Sequence, residues 1–77
     1  MSTRTRYKHR PDRLARARVE AGLTPEQLAE AVGVSRQSVW YYETGHRTPR
    51  ADRLLKIAQV LGKPVAYFLP DDEGADQ

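Results

Sequence analysis

The sequence predicts an all-α fold, five short helices packed into one compact domain, and three observations point there. Apolar residues recur at three- and four-residue spacing, as in Leu28, Ala29 and Val32 or in Leu54, Leu55, Ile57, Ala58 and Leu61. Glycines at 22, 33, 45 and 62 close these runs, and helix-start residues such as Thr24-Pro25 and Ser35 open them. Neither an Asn-Gly hairpin turn nor a sustained period-two run argues for a strand.

The first helix is expected from Pro11, whose fixed φ suits a first helical position, to Ala21, with Leu14, Ala17 and Ala21 on one face. Thr24-Pro25-Glu26-Gln27 is a T-x-x-Q capping box with proline at the first helical position, so the second helix should span Pro25 to Val32. Its stripe of Leu28, Ala29 and Val32 points inward and leaves Glu26, Gln27 and Glu30 outside. Gly33 can turn left-handed without a Cβ penalty, which lets the chain reverse before Ser35 caps a third helix from Arg36 to Thr44. In that helix Val39 and Tyr42, with Val34 before it, face the core, while Arg36, Gln37, Trp40 and Tyr41 share the opposite face. Two helices joined by so tight a turn, the second with a large polar and aromatic outer face, have the build of a DNA-reading helix-turn-helix.

Gly45 closes the third helix, and the loop His46-Arg47-Thr48-Pro49 leads to a fourth, with Thr48 or no side chain as N-cap and Pro49 at the first helical position. Leu54, Leu55, Ile57, Ala58 and Leu61 give it a broad apolar face, Gly62 ends it, and Pro64 allows a short fifth helix, PVAYFL. The organisation is thus a basic flexible arm at 1–10, a helical domain at 11–69 and an acidic disordered tail at 70–77.

At 77 residues and 39% hydrophobic content the chain has room for one core. It contains no cysteine, so the fold rests on helix packing without disulfides or thiolate metal sites. The longest apolar run, Val65 to Leu69, is five residues, far below the ~20 that span a bilayer, and the N-terminus lacks a signal-peptide core; a cytoplasmic protein is expected. The net charge of +3 is unevenly spread. Residues 1–22 hold seven Lys/Arg against Asp12 and Glu20, and residues 51–77 hold Arg53, Lys56 and Lys63 against five carboxylates. A basic head can neutralise phosphates and release counterions.

The motif set resembles the Cro/repressor-type, or XRE-like, helix-turn-helix family over roughly Leu14 to Leu69. The matching marks are G-L-T at 22–24, L-A at 28–29, G-V-S at 33–35, Val39, Glu43-x-Gly45, Pro49 and L-x-x-I-A-x-x-L-G from Leu54 to Gly62. The resemblance implies a lambda-repressor-like domain with the helix-turn-helix in its second and third helices. Ala29 is small where the two helices cross, Gly33 turns and Val39 plugs the angle between them. The resemblance also implies an Arg18 to Glu43 ion pair bracing the first helix to the end of the third.

It further implies that the third helix enters the major groove. Base contacts are then expected from Arg36, which can donate a bidentate pair to guanine, from Gln37, which can pair with adenine, and from Tyr41. Trp40 either contacts sugar, phosphate or a thymine methyl, or folds back on the protein or a partner subunit. Phosphate contacts are expected from Ser35, Ser38, His46, Arg47 and Arg50. The family commonly has glutamine at the position of Pro25, so anchoring at the second helix passes to Thr24, Gln27 or backbone. Arg4, Arg6, Lys8 and Arg10 of the arm either follow the DNA or form a tail without a DNA role.

His9 and His46 have no acidic or histidine partner at metal spacing, and no cofactor motif is present. Without a Gly-rich phosphate loop, a cysteine nucleophile or a G-x-S-x-G elbow, the chain does not read as an enzyme. It reads as a small prokaryotic or phage transcriptional regulator, a repressor binding a palindromic double-stranded site as a homodimer. The dimer would form through Val65, Tyr67, Phe68 and Leu69, unless Phe68 and Leu69 cap the monomer's own core. The alternative is a protein-interaction module, an antitoxin or adaptor, whose Trp40, Tyr41 and Tyr67 bind a partner protein.

Overall fold

The computed structural model describes residues 7–70. It contains α1 (Pro11–Glu20), α2 (Pro25–Val32), α3 (Arg36–Thr44) and α4 (Ala51–Leu61), followed by a 3₁₀ turn at Val65–Phe68. No strand occurs among the described residues. The expected fifth helix is therefore a single 3₁₀ turn, closed by bonds from Tyr67 N–H to the Pro64 carbonyl and from Leu69 N–H to the Ala66 carbonyl. Pro64 and Pro70 leave too few residues between them for an α-helical turn to propagate.

The capping box opens α2 as its sequence demands: the Thr24 hydroxyl accepts from Gln27 N–H while the Gln27 side chain accepts from Thr24 N–H. Gly33 then takes φ of 87°, where a Cβ would be strained even with open space around it. Its neighbour Val34 donates back to the Ala29 carbonyl at 2.9 Å, which closes the turn. The start of α4 falls later than expected, at Ala51. Arg50, not Thr48, is its N-cap, and no side chain bonds the first-turn amides. Pro49 lies buried ahead of the helix as part of the core wall instead of inside its first turn.

Leu14 and Ala17 of α1, Leu28, Ala29 and Val32 of α2, Val39 of α3, and Leu54, Ile57, Ala58 and Leu61 of α4 form one core, with Phe68 completely buried among them. Leu55 leaves the expected apolar face and is 51% exposed. The helix turns it one position past the buried stripe of Leu54, Ile57, Ala58 and Leu61.

The larger correction concerns the N-terminal arm. Tyr7 to Arg10, expected within a flexible arm, are packed across the fold. The Tyr7 hydroxyl donates to the Pro49 carbonyl at 2.7 Å, the His9 Nε2–H to the Tyr42 carbonyl at 2.6 Å, and Arg10 N–H to the Phe68 carbonyl at 2.7 Å. The segment gives no periodic signal because it is extended and held by backbone carbonyls of distant elements. Arg4 and Arg6 of the arm, and the acidic residues from Asp71 onward, lie outside the described residues.

Arg18 and Glu43 form the expected brace, at 2.6 and 3.2 Å, with side chains only 16% and 13% exposed. Arg18 also donates to the Leu23 carbonyl at 2.9 Å, so one guanidinium ties α1 to the end of α3 and to the entry of α2. Glu43→Ala strands this cation in a largely dry site, and it should cost about 2 kcal/mol, below the ~3–5 of a fully buried pair. Urea unfolding of the variant checks this, and a loss under half that size would reduce the pair to a surface contact.

His9 is 3% exposed, and its Nδ1 is buried with no partner among the described residues. Burial pushes its pKa down, aided by Lys8, against an opposing pull from the Tyr42 carbonyl. The folded chain therefore holds His9 neutral while the unfolded chain takes up a proton near pH ~6.5, so stability is full above that pH and falls below it. Thermal midpoints should drop between pH 7 and 5.5, and His9→Gln should flatten that drop. An identical slope in the variant would assign it to another group.

Candidate nucleic-acid interface

Helix α3 is short, nine residues, and holds one buried side chain, Val39. Ser35 opens it by accepting from Ser38 N–H at 3.0 Å, and Gly45 closes it at φ 83°. The helix leaves Arg36, Gln37, Trp40 and Thr44 exposed, with the remaining side chains half-buried. Arg36, Gln37 and Trp40 are exposed and Tyr41 is half-buried, so the structure brings all four residues of the expected base-reading face onto one surface.

Their side chains are not independent. Arg36 Nε lies 3.2 Å from Glu26 Oε2 of α2, in a pair whose side chains are 70% and 59% exposed. The Gln37 amide donates to the Tyr41 hydroxyl at 3.0 Å, which leaves Gln37 Oε1, its second amide hydrogen and the Tyr41 O–H for an outside partner. The Arg47 guanidinium lies 4.9 Å from the Tyr41 ring centre. Trp40 stacks on His46 at 5.2 Å between ring centres and meets Tyr41 edge-on, yet remains 53% exposed. Of the two expectations for Trp40, folding back on the protein describes part of the ring. Thr44 links the cluster by donating to the Trp40 carbonyl at 2.8 Å and accepting from His46 Nδ1 at 2.7 Å.

Several residues expected to meet phosphates are already engaged in helix capping, and their remaining donors can be counted. Thr24 and Gln27 bond each other's backbone, so Thr24 keeps its hydroxyl hydrogen and Gln27 its amide. Ser35 spends its hydroxyl hydrogen on the Ser38 oxygen at 3.0 Å, which leaves Ser38 O–H as the outward donor of the two. These donors sit at the start of α2 and the start of α3, near the positive ends of both helices.

A third basic element follows α3. Tyr42, Arg47, Thr48, Arg50, Asp52 and Arg53 line a cleft of about 340 Å³ between the end of α3 and the start of α4. None of its three arginines has an ion pair among the described residues. Asp52 is its only carboxylate among the described residues. Arg53 was not among the sequence candidates, although Arg47, Arg50 and Arg53 recur every three residues. A period-three reading carried across the loop would have included it.

The C-terminal segment behaves differently from the expected dimer surface. Phe68 is wholly inside the monomer core and offers nothing to a partner. Val65, Tyr67 and Leu69 are half-buried against that core. The Tyr67 ring is itself flanked by the Arg13 guanidinium at 5.1 Å and Lys63 Nζ at 4.9 Å. Among the described residues no group of three or more His, Cys, Asp or Glu could hold a metal ion, and no helix is long and apolar enough to cross a membrane.

Comparison with known proteins follows the same lines. The helix-turn-helix family HTH_3 matches residues 14–68. An uncharacterized HTH-type transcriptional regulator of Sinorhizobium medicae (strain WSM419) is 35% identical over 66 residues, 86% of this chain and 48% of that protein. The cryptic phage CTXphi transcriptional repressor RstR of Vibrio cholerae is 34% identical over 56 residues, 73% of this chain and 50% of its own. The chain thus spans about half the length of these relatives, both of them transcriptional regulators. Among solved structures, SinR, a master regulator for biofilm formation crystallised in complex with DNA, aligns with a TM-score of 0.68 at 30% identity over 73% of this chain and 90% of that one.

Proposed function

This chain belongs to the helix-turn-helix family, and we propose that it is a DNA-binding transcriptional regulator, a repressor that reads double-stranded DNA by placing α3 in the major groove. One observation carries the reading: α3 buries only Val39 and presents Arg36, Gln37 and Tyr41 together, with free donors and acceptors. Arg36 supplies a guanine contact and Gln37 an adenine contact, with Tyr41 beside it. Trp40 borders this face, and its exposed edge suits a thymine methyl or sugar.

Around the groove, Thr24 O–H, the Gln27 amide and Ser38 O–H bind phosphates on one side. His46, Arg47, Arg50 and Arg53 bind them on the other, with the uncapped first-turn amides of α4 beside the cleft. Ser35 contributes through the cap it forms instead of through its hydroxyl hydrogen. Two copies would bind a palindrome with half-sites one helical turn apart, meeting through Val65, Tyr67 and Leu69. A protein-partner role for the aromatic face is less well supported: Trp40 is stacked on His46 and Tyr67 is held between two cations.

Selection from a random duplex library at two salt concentrations tests the whole reading, with an enriched palindrome at the higher salt as the expected result. Recovery of no preferred sequence would count against it. Arg36→Ala and Gln37→Ala should each relax one base preference, at about 1–3 kcal/mol, with the thermal midpoint unchanged.

Arg47→Ala and Arg53→Ala should instead weaken every duplex alike and each lower the slope of log affinity against log salt by about one unit. A slope unchanged in both variants would remove the cleft from the interface.

A further inference from the structure

We infer that Glu26 is the positioning residue for Arg36: its carboxylate pairs with the guanidinium across the turn between the helices and so restrains that cation where it can meet a guanine edge. This rests on the groove reading above and adds to it a residue on α2 that touches no base.

Three features point the same way. The closest approach is 3.2 Å, from Glu26 Oε2 to Arg36 Nε, an ion pair without a directed hydrogen bond, and a guanidinium has five N–H donors in a fixed plane. Because the pair takes up none of these donors in a directed hydrogen bond, they remain for the paired bonds that guanine O6 and N7 accept. Exposure is the second feature. At 70% and 59% the pair stands in solvent, unlike the Arg18 to Glu43 brace at 16% and 13%. An exposed pair adds little to folding, yet it restricts a long side chain that would otherwise lose its rotamer freedom on meeting DNA.

The third feature is charge. Glu26 is the only acidic residue in the first turn of α2, beside Thr24 and Gln27, where phosphates are proposed to approach. A carboxylate there repels every duplex, whatever its sequence. Glu26 therefore lowers general affinity while sharpening the guanine preference, and its removal has effects of opposite sign.

The test compares the full chain, Glu26→Gln and Arg36→Ala by selection from a random duplex library, by anisotropy titration of a scrambled duplex at the same salt, and by thermal melting. Arg36→Ala should abolish the preference at one G·C pair. Glu26→Gln should reduce that same preference about fivefold, leave the other positions intact, bind the scrambled duplex about twofold more tightly and melt as the unaltered chain does. A full guanine preference in Glu26→Gln, beside its loss in Arg36→Ala, overturns the positioning role and leaves the groove reading standing. An Arg36→Ala variant with unchanged preference overturns both. Uniform weakening of all duplexes by Glu26→Gln, or a lowered melting point, also overturns it, because a structural residue would behave so.

Discussion

Helix α3 buries one side chain fully, Val39, with Tyr42 packed partly against the core, so its orientation rests on polar ties from other elements as well as on these few apolar contacts. Arg18 of α1 reaches Glu43 near its C-terminus, and His9 bonds the carbonyl of Tyr42 one residue earlier. Both ties grip the last turn and a half and leave the first two turns to present side chains. A helix held by a broad apolar stripe would have had less outward surface to offer. Because each tie lies in a nearly dry site, breaking one leaves a buried group unpartnered, which costs more than an exposed contact would.

The polar surface around α3 follows from the same economy of hydrogen bonds. Helix starts require acceptors for their orphan amides, and Thr24, Gln27 and Ser35 provide them. A hydroxyl or amide that accepts for a cap still carries its hydrogens, so capping fixes the position of a donor without consuming it. Ser35 is the exception, since its hydrogen goes to Ser38. The start of α4 has no such side-chain cap, and there the arginines of the adjoining cleft, without an ion pair among the described residues, stand beside bare amides.

Much of this was legible in the chain. The capping box at Thr24, the turn at Gly33 and the cap at Ser35 predicted α2 and α3 with the bounds observed, because each boundary is set by chemistry within four residues. The outward set of Arg36, Gln37, Trp40 and Tyr41 followed from helical spacing alone. What was not legible has a common cause. Tyr7 to Arg10 bond to Pro49, Tyr42 and Phe68, partners 33 or more residues away, and their sequence shows no period. Thr48 looked like a cap, but the burial of Pro49 moved the helix start to Ala51.

Local sequence therefore determined α2 and α3, their ends and the residues α3 turns outward, since caps, glycine turns and apolar spacing act over a few bonds. Tertiary structure decided which of those residues meet. Phe68 went into the monomer core instead of a shared surface, Arg53 joined Arg47 and Arg50 in one cleft, and Glu26 came within 3.2 Å of Arg36. These outcomes depend on the angle between α2 and α3 and on where the last turn closes over the core. Those quantities arise from packing several helices at once, which no single stretch of the chain encodes.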